Sequence, residues 1–413
     1  MLRDQLSSWS NDENKRDCCK WRGVHCHNRT NHVTRLNFGG HVRGKISPSL
    51  LELQHLRYLD LSFNDFELAP IPELIGSLSE LRYLNLAACD FSGPIPQRLG
   101  NLSKLLYLDL HDVFHCYSEN LDWLSSHSSL EYADLSTINL TMAHNWLQAI
   151  SKLGYIKELH LAFTDVPEIP LSLLPKINGS TPLAILDLSR NWYLSTPFTL
   201  IRWFSNFSTG LTSVNLNGNR MSSPIPDIFE DMISLENLNL GKNNLEGGVP
   251  KYLGNLSSLR GLYLHDNKFT REFIELMMNL SGPVAKTLEY LDLRRNSISG
   301  LFPNMSRFSS LSELKLQENQ LSGSIQDGYL QLPSLTLLHL SSNQFTGPVP
   351  DLSSLSSLKQ LSLDNNMFNG TLTESIGRLY KLEVLWIGSN LVEGIITEPH
   401  LFNLSRLEIL DLP

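Results

Sequence analysis

The chain has 413 residues, 41% of them apolar and 18% charged, and its formal net charge at pH 7 is −9. No run of lysine or arginine reaches the about five to eight residues of a nucleic-acid-binding patch, so the sequence argues against DNA or RNA as a partner. No stretch approaches the roughly 18 consecutive apolar residues of a membrane span, and the first ten residues lack the apolar segment of a secretory signal.

The first predicted element is a cysteine-rich segment near the amino terminus. The stretch DCCKWRGVHC, residues 17–26, holds three of the five cysteines, and three thiols cannot pair among themselves without a remainder. The alternative to a disulfide is a zinc site, which would use Cys18, Cys19, Cys26 and either His25 or His27. Adjacent thiolates suit one ion poorly, because structural zinc sites favour about two to four residues between paired ligands.

A repeat with a period of about 24 residues fills the rest of the chain. Its LxxLxLxxN segments include LRYLDLSFN, LTSVNLNGN and LTLLHLSSN, and sixteen starts with spacings of 23 to 29 residues exclude coincidence. The starts are Val33, Leu56, Leu81, Leu105, Leu130, Ile156, Leu183, Leu211, Leu235, Leu259, Leu288, Leu311, Leu335, Leu358, Leu382 and Leu407. This is the leucine-rich repeat period.

Each repeat predicts one short β-strand. The leucines of LxL face one way and the residue between them faces the other, as in a strand. One turn cannot bury its leucines alone, whereas stacked turns bury a continuous core. We therefore predict an α/β leucine-rich repeat solenoid with a concave parallel sheet. Its domains are an amino-terminal cap at residues 1–32 and a solenoid at residues 33–413, with about fifteen complete repeats and a truncated one.

An asparagine ends many of the predicted strands, and its amide can satisfy backbone groups where the chain turns inward. These asparagines are Asn64, Asn219, Asn243, Asn267, Asn296, Asn319, Asn343 and Asn390. Cys89 occupies the same position in LRYLNLAAC, where a buried thiol can serve as a weak donor. We expect Cys89 to be a core residue, and we assign no role to Cys116.

Many repeats continue as LxGxIP, for example FSGPIP and FTGPVP. Glycine permits the turn and proline ends strand pairing. This signature resembles the plant-specific class of leucine-rich repeats, which implies an additional short sheet and a superhelical twist. The repeats from Leu105 to Gly210 depart from it. In the same region His111 and His115 have helical metal-ligand spacing, but they fall where a strand passes into a turn, so we expect two surface histidines.

The segment from LSSWS to VTRLNF resembles the amino-terminal cap of plant leucine-rich repeat receptors and of related secreted inhibitors. Leu6, Trp9 and Trp21 would cover the first turn. The resemblance implies a Cys19–Cys26 disulfide, with the partner of Cys18 encoded upstream of Met1. A disulfide cap implies an extracellular protein.

Ten glycosylation sequons support an extracellular location, in mild excess over chance. They lie at Asn28, Asn101, Asn139, Asn178, Asn206, Asn255, Asn279, Asn304, Asn369 and Asn403. We expect the native gene to add a signal peptide before the cap, then further repeats and a membrane span after Pro413.

The segments NLDWLSSHSSLEYADLSTINLTMAHNWLQAISKL and GIITEPHLFNLSRL resemble plant receptor-like proteins of the ethylene-inducing xylanase receptor type. This resemblance implies the extracellular part of a kinase-less receptor at the plasma membrane, in immune perception. It would recognise a protein or peptide ligand of microbial or other extracellular origin, signal through a partner receptor kinase and need no cofactor. The alternatives are a secreted inhibitor of microbial wall-degrading enzymes and the ectodomain of a growth or peptide-hormone receptor kinase.

Catalysis is disfavoured by the sequence, which has no GxSxG, GxGxxG, Walker or HExxH motif. Aspartates recur inside LxL, but they recur because the repeat does. They are Asp60, Asp109, Asp134, Asp187 and Asp292.

The outward strand positions predict where a ligand would bind. In the early repeats they are mostly Asp, Ser or Asn, with one column of Tyr58, Tyr83, Tyr107 and Tyr132. From Leu259 onward aromatic and charged residues gather, a composition that resembles binding hot spots. We name this set the Tyr263 patch: Tyr263, His265, Asp266, Arg294, Arg295, Lys315, Glu318, His339 and Trp386.

Overall fold

Each sequence repeat forms one turn of the chain in the computed structural model. The structure describes residues 17–40, 42–175, 181–192, 194, 197–207 and 210–412. The chain forms two units, Met1–Leu211 and Thr212–Pro413. In both, the middle residue of each three-residue strand, usually the first leucine of LxL, points into the core. Leu59, Leu84 and Leu108 are therefore fully buried, and they pair in register. The predicted parallel sheet is confirmed.

The first unit begins with an antiparallel strand, Val24–Cys26, which pairs with the first parallel strand. The parallel strands of this unit are Val33–Asn37, Tyr58–Asp60, Tyr83–Asn85, Tyr107–Asp109, Tyr132–Asp134, Glu158–His160 and Ile185–Asp187. Its α-helices, on the return path between strands, are Trp146–Ile150 and Pro197–Phe207.

The second unit continues the same pattern. Its parallel strands are Ser213–Asn215, Asn237–Asn239, Gly261–Tyr263, Tyr290–Asp292, Glu313–Lys315, Leu337–His339, Gln360–Ser362, Val384–Trp386 and Ile409–Asp411. Its α-helices are Phe273–Asn279 and Glu398–Leu401. Several other turns in the two units return through a single turn of 3₁₀-helix, such as Gln97–Asn101 and Lys251–Asn255.

The second signature, LxGxIP, builds the additional sheet that its resemblance implied. In the second unit the strands Ser299–Leu301, Gln320–Gly323, Gln344–Gly347, Met367–Thr371 and Leu391–Glu393 form one sheet, and Glu246–Gly247 pairs with Lys268–Phe269. The motif glycine has a positive φ, for example 89° at Gly300 and 76° at Gly323, which explains why the motif requires glycine.

In the first unit, an equivalent two-stranded additional sheet reaches into the repeats that lack the motif. His115–Tyr117 pairs with Ser92–Pro94, and Tyr117 bridges to Asn139. The inward residue of that strand is Cys116, which is 1% exposed. Cys116 is therefore a core residue of the irregular repeat, a role that its sequence context did not indicate.

The asparagine ladder joins each turn to the one before it. The buried amide nitrogen of Asn243 donates to the carbonyl oxygens of Leu216, Leu240 and Gly241, and its oxygen accepts the N–H groups of Asn219 and Met221. One side chain thus satisfies five backbone groups that the inward bend would leave unpaired.

Two ladder members escaped the sequence analysis. Asn191 and Asn366 are buried and make the same bonds to the preceding turn. Cys89 fills the equivalent slot as predicted: its thiol donates to the carbonyl oxygen of Leu61 at 2.9 Å, and burial raises its pKa to about 12. A thiol with so high a pKa is a poor nucleophile at neutral pH.

The cap contains the disulfide that its resemblance implied. Cys19, in the 3₁₀ turn Cys18–Lys20, is bonded to Cys26 at the end of the antiparallel strand, with 5.5 Å between their Cα atoms. Cys18, Cys89 and Cys116 are free thiols in the described part of the chain. Two of the sulfur ligands of the zinc alternative are therefore consumed by the disulfide. Leu6 and Trp9 lie outside the described residues.

We expect the Cys19→Ser variant to lose about 2.5 kcal/mol of stability, the loop-closure value for an eight-residue loop. Its unfolding can be followed in urea after secretory expression. The Cys18→Ser variant is the matched control, and peptide mapping without reductant should recover the Cys19–Cys26 pair. A Cys18–Cys26 pair would contradict the assignment.

We expect the Asn243→Ala variant to lose about 3 kcal/mol, because buried carbonyl and N–H groups lose their partner. The Asn237→Ala variant, at a half-buried position on the strand face, should cost less than about 1 kcal/mol. Urea denaturation distinguishes them, and equal losses would show that the ladder bonds contribute little.

Candidate functional site: the outward face of the strands

The strands present three outward columns of side chains. Each three-residue strand contributes its first residue, its third residue and the residue two positions further on, which are Gly261, Tyr263 and His265 in one turn. In the longer strand Val33–Asn37 the first column begins at Arg35. We call these the first, second and third columns. Because the inward leucines hold the fold, these columns are free to carry a recognition surface.

The Tyr263 patch follows the second column of the second unit. Tyr263 pairs in register with Asp292, Asp292 with Lys315, and Lys315 with His339. The column continues through Ser362 to Trp386. Consecutive strands therefore place Tyr263, Lys315, His339 and Trp386 of the patch in one column.

His265 differs from the rest of the patch because it is buried, with 7% of its surface exposed. Its ring packs over Gly241, where an added Cβ would lie 2.5 Å from the ring. Its Nδ1 is 3.1 Å from a carboxylate oxygen of Asp266. We expected His265 to face a ligand, but the structure makes it part of the floor beneath the patch.

The charged members of the patch are already paired within the chain. Arg294 lies 3.5 Å from Asp292, and Lys315 lies 2.7 Å from Glu313. Burial raises the pKa of Asp292 even though Arg294 favours its charged form. The patch thus holds its charges in a fixed arrangement before any ligand arrives.

At the edge of the strand face, Arg295 bridges Asp266 at 3.8 Å and Glu318 at 2.9 Å. These exposed pairs contribute little to stability. All three residues have φ values between 53° and 57°, in the left-handed region that precedes each ladder residue. The turn fixes the backbone conformation of these three residues, so a ligand could be recognised only by their side chains.

His339 offers the patch an unsatisfied polar atom. Burial, assisted by the nearby Lys315, lowers its pKa, so the ring is neutral at neutral pH. Its Nε2 is buried without a hydrogen-bond partner in the described structure, as is Oε1 of Gln317. The ring centroid of Trp386 lies 6.3 Å away. An unpaired buried polar atom is costly, so a ligand group that bonded to it would gain affinity.

Tyr290, which no sequence pattern singled out, lies in the first column between Gly261 and Glu313. The missing side chain of Gly261 leaves room for the Tyr263 ring, which an added Cβ would approach to 2.8 Å. Register analysis of the first column would have found Tyr290.

The early tyrosines form a stacked ladder rather than an unremarkable column. The ring centroids of Tyr58, Tyr83, Tyr107 and Tyr132 are 4.0, 4.3 and 4.2 Å apart, and successive rings lie within 9° of parallel. The strands are closely spaced, so tyrosines at one column position on consecutive strands must stack.

The second-column aspartates have a structural task. One carboxylate oxygen of Asp60, Asp109, Asp134 and Asp187 accepts the N–H group two residues later. Asn37 and Asn85 make the same bond with their amide oxygens. This shared bond is the physical reason that Asp and Asn recur in LxL.

His111 and His115 do not both lie on an open surface, contrary to our expectation. His115 is exposed on the additional sheet, whereas His111 is half-buried in the third column. Its Nδ1 lies 2.7 Å from Asp109 and 3.9 Å from Asp134. Burial opposes the imidazolium charge, but the hydrogen bond and negative charge of Asp109 outweigh it and raise the pKa of His111.

Among the described residues, two groups have ligand atoms close enough together to hold a metal ion. One is Asp109, His111 and Asp134, and the other is the three cap cysteines. The cap sulfurs include the disulfide. In the other group, Asp109 already binds the imidazole nitrogen that a metal would use. An internal ion pair explains that arrangement.

Sequence comparison matches the chain to leucine-rich repeat families along most of its length. The leucine-rich repeat region family covers residues 41–282, and the leucine rich repeat N-terminal domain covers residues 2–27. Receptor-like protein EIX1 of Solanum lycopersicum is 40% identical over 340 residues, which are 78% of this chain and 32% of that protein. The chain therefore spans about a third of the length of the curated relatives it matches.

Solved structures agree in fold. The plant peptide hormone receptor RGFR1, in complex with RGF2, superposes with a TM-score of 0.67 and 24% identity, over 95% of this chain and 60% of that one. The Arabidopsis receptor kinase HAESA, in complex with the peptide hormone IDA and the co-receptor SERK1, gives a TM-score of 0.55 and 23% identity, over 99% and 87%. Nothing among the described helices is long and apolar enough to cross a bilayer.

We expect NMR titration of His111 to show a pKa above the ordinary 6.5 and a lower value in the Asp109→Asn variant. The charged pair should stabilise the fold below about pH 6.5, and this contribution should vanish as pH rises through the raised pKa. The His111→Gln variant should therefore be destabilised more at pH 5 than at pH 8. A destabilisation that did not change with pH would contradict the pairing.

Proposed function

The chain belongs to the leucine-rich repeat proteins, and we propose that it is the ligand-recognition region of a plant cell-surface receptor-like protein that acts in immune perception. The observation that carries the proposal is the 40% identity to receptor-like protein EIX1 over 340 residues. The similarity includes the family's cap and repeats rather than a single motif. Receptor-like protein EIX2 of Solanum lycopersicum is likewise 39% identical over 333 residues.

The Tyr263 patch supports recognition of a protein or peptide. Aromatic rings and fixed charges lie together on adjacent strands, and the buried Nε2 of His339 has no hydrogen-bond partner in the described structure. Such combinations of aromatic anchors and positioned charges are typical of protein-binding hot spots. A neutral His339 can donate a hydrogen bond to a ligand or accept one.

A co-receptor kinase is the partner we infer for signalling. The HAESA structure, which shares this fold, contains both a peptide hormone and a co-receptor. By analogy the present chain would contribute a ligand surface to a similar assembly, in a full-length protein at the plasma membrane with this region outside the cell.

Glycosylation agrees with this location. Eight of the nine described sequon asparagines are exposed, and none of the nine lies in a strand-face column. Asn279 is the half-buried one, and its amide donates to the carbonyl oxygen of Val249. Asn178 lies outside the described residues. Glycans would leave the strand faces open to partners.

Expression of the native gene in leaf cells tests the proposal. We expect a glycosylated protein at the cell surface that confers an oxidative burst on treatment with at least one fractionated fungal or bacterial culture filtrate. The Tyr263→Ala/Arg294→Ala/Lys315→Ala variant should abolish that response without lowering the surface level, because it removes one ring and two fixed charges from the patch.

The Lys251→Ala/Arg307→Ala/Tyr380→Ala variant is the matched control, since it removes the same side-chain types at exposed positions outside the columns. An intracellular, unglycosylated product would refute the receptor assignment. A full response from the patch variant would instead refute only the location of the ligand site.

A further inference from the structure

The strand face of the first unit carries negative charge that the fold does not require. Asp60, Asp109, Asp134 and Asp187 each satisfy a backbone N–H group, but Asn37 and Asn85 do so equally well with an uncharged amide. The turn therefore requires a hydrogen-bonding oxygen atom at these positions, but it does not require a negative charge.

Few opposing charges accompany these carboxylates. In the three columns of the seven parallel strands there are five acidic residues, namely the four aspartates and Glu158, against one arginine, Arg35, and two histidines. His111 engages Asp109, and His160 lies 3.7 Å from Glu158. The columns of the second unit also carry acidic residues, which are Asp292, Glu313, Asp364 and Asp411 in the described strands. Beside the Tyr263 patch each carboxylate has a cation next to it, since Arg294 lies beside Asp292 and Lys315 beside Glu313. The first face thus has one arginine for five carboxylates, whereas the carboxylates beside the Tyr263 patch are paired.

The tyrosine ladder lies directly beside this acidic column. Its ring faces cover one another, so ring edges and hydroxyl groups point outward. Burial raises the pKa of Tyr58 and of Tyr107, which keeps their hydroxyl groups protonated. Those hydroxyl groups lie 3.4 and 3.3 Å from Asp60 and Asp109.

The structure itself shows which cation suits this ladder. The guanidinium group of Arg35 lies 4.0 Å over the ring of Tyr58, at the end of the stack. Because the ring faces between Tyr58 and Tyr132 cover one another, a partner's guanidinium group would bind here through paired hydrogen bonds to the carboxylates, beside the ring edges and hydroxyl groups. An ammonium group cannot make such a paired contact, so the face suits arginine better than lysine.

The dimensions indicate an extended polypeptide. From Asp60 to Asp187 the column crosses five strand intervals, or about 24 Å. An extended chain advances about 3.3 Å per residue, so about seven residues would span the column. Arginines on one side of such a segment would recur about every 7 Å, comparable with carboxylates that lie one or two strands apart.

We propose that this surface, the tyrosine–aspartate face (Tyr58, Tyr83, Tyr107, Tyr132, Asp60, Asp109, Asp134 and Asp187), docks an extended arginine-bearing segment of a partner protein. It is a second binding surface, separate in sequence and in chemistry from the Tyr263 patch. Its test is a direct binding measurement, so its outcome does not depend on whether the chain acts as a receptor.

Fluorescently labelled octa-arginine is the probe, and its anisotropy is measured with the purified full chain at about 0.1 M salt. The Asp60→Asn/Asp109→Asn/Asp134→Asn/Asp187→Asn variant keeps every turn bond, because asparagine makes that bond in neighbouring turns. We expect it to bind octa-arginine at least about tenfold more weakly. The wild type should bind octalysine at least about threefold more weakly than octa-arginine.

The Glu52→Gln/Asp90→Asn/Glu119→Gln/Glu246→Gln variant is the control, since it removes four exposed charges outside the strand-face columns. It should change affinity by less than about twofold. The Asp60→Asn/Asp187→Asn variant leaves the His111 pair intact and should weaken binding about threefold even if the fourfold variant is unstable. Equal losses in the fourfold variant and the control, or no loss in either aspartate variant, would overturn the proposal. Equal binding of octalysine would overturn the preference for arginine.

Discussion

Each turn of this chain depends on the next one to satisfy its polar backbone. A turn of about 24 residues bends sharply after a three-residue strand, and that bend leaves carbonyl and N–H groups directed into an apolar core. The ladder side chain supplies their partners, and it does so across two turns at once: Asn243 bonds to its own turn and to the turn that begins at Leu211. Leucine packing drives the turns together, but the ladder determines the register in which they stack.

That constraint reaches the backbone conformation of the neighbouring residue. The position before the ladder residue has a positive φ in turn after turn, whether it holds Lys242, Glu318 or the bulky Phe63. Such a conformation is uncommon outside glycine and asparagine. It persists because several hydrogen bonds and the buried leucines on both sides overdetermine it, and it directs these side chains to the edge of the strand face. Phe63 is 62% exposed there, so its side chain is not held by packing in the core.

Much of this architecture could be predicted because it repeats. The period, the strands, the additional sheet and the slot of Cys89 all follow from patterns that recur often enough to be recognised in one sequence. What recurs less clearly was missed: Asn366 follows another asparagine, and Asn191 lies among repeats of irregular length. The environments of individual side chains were harder to predict from the sequence. The burial of His265 depends on a glycine one turn earlier, and the negative charge of Asp134, one turn later, adds to the pairing of His111 with Asp109. Both require contacts between turns that a linear reading does not contain.

The two units use the same backbone to present different chemistry, which shows how little the fold restricts its outward columns. In the second unit the charged side chains beside the Tyr263 patch are paired, as Lys315 is with Glu313. Recognition there would rely on rings and on polar atoms such as Nε2 of His339, which has no hydrogen-bond partner among the described residues. In the first unit identical residues stack, and carboxylates collect beside them because aspartate and asparagine serve the turn equally well. Selection on the turn cannot distinguish these two residues, so the charge of this column can change without cost to the fold. A change of binding chemistry therefore needs only a few outward substitutions, and the leucines and the ladder can stay as they are.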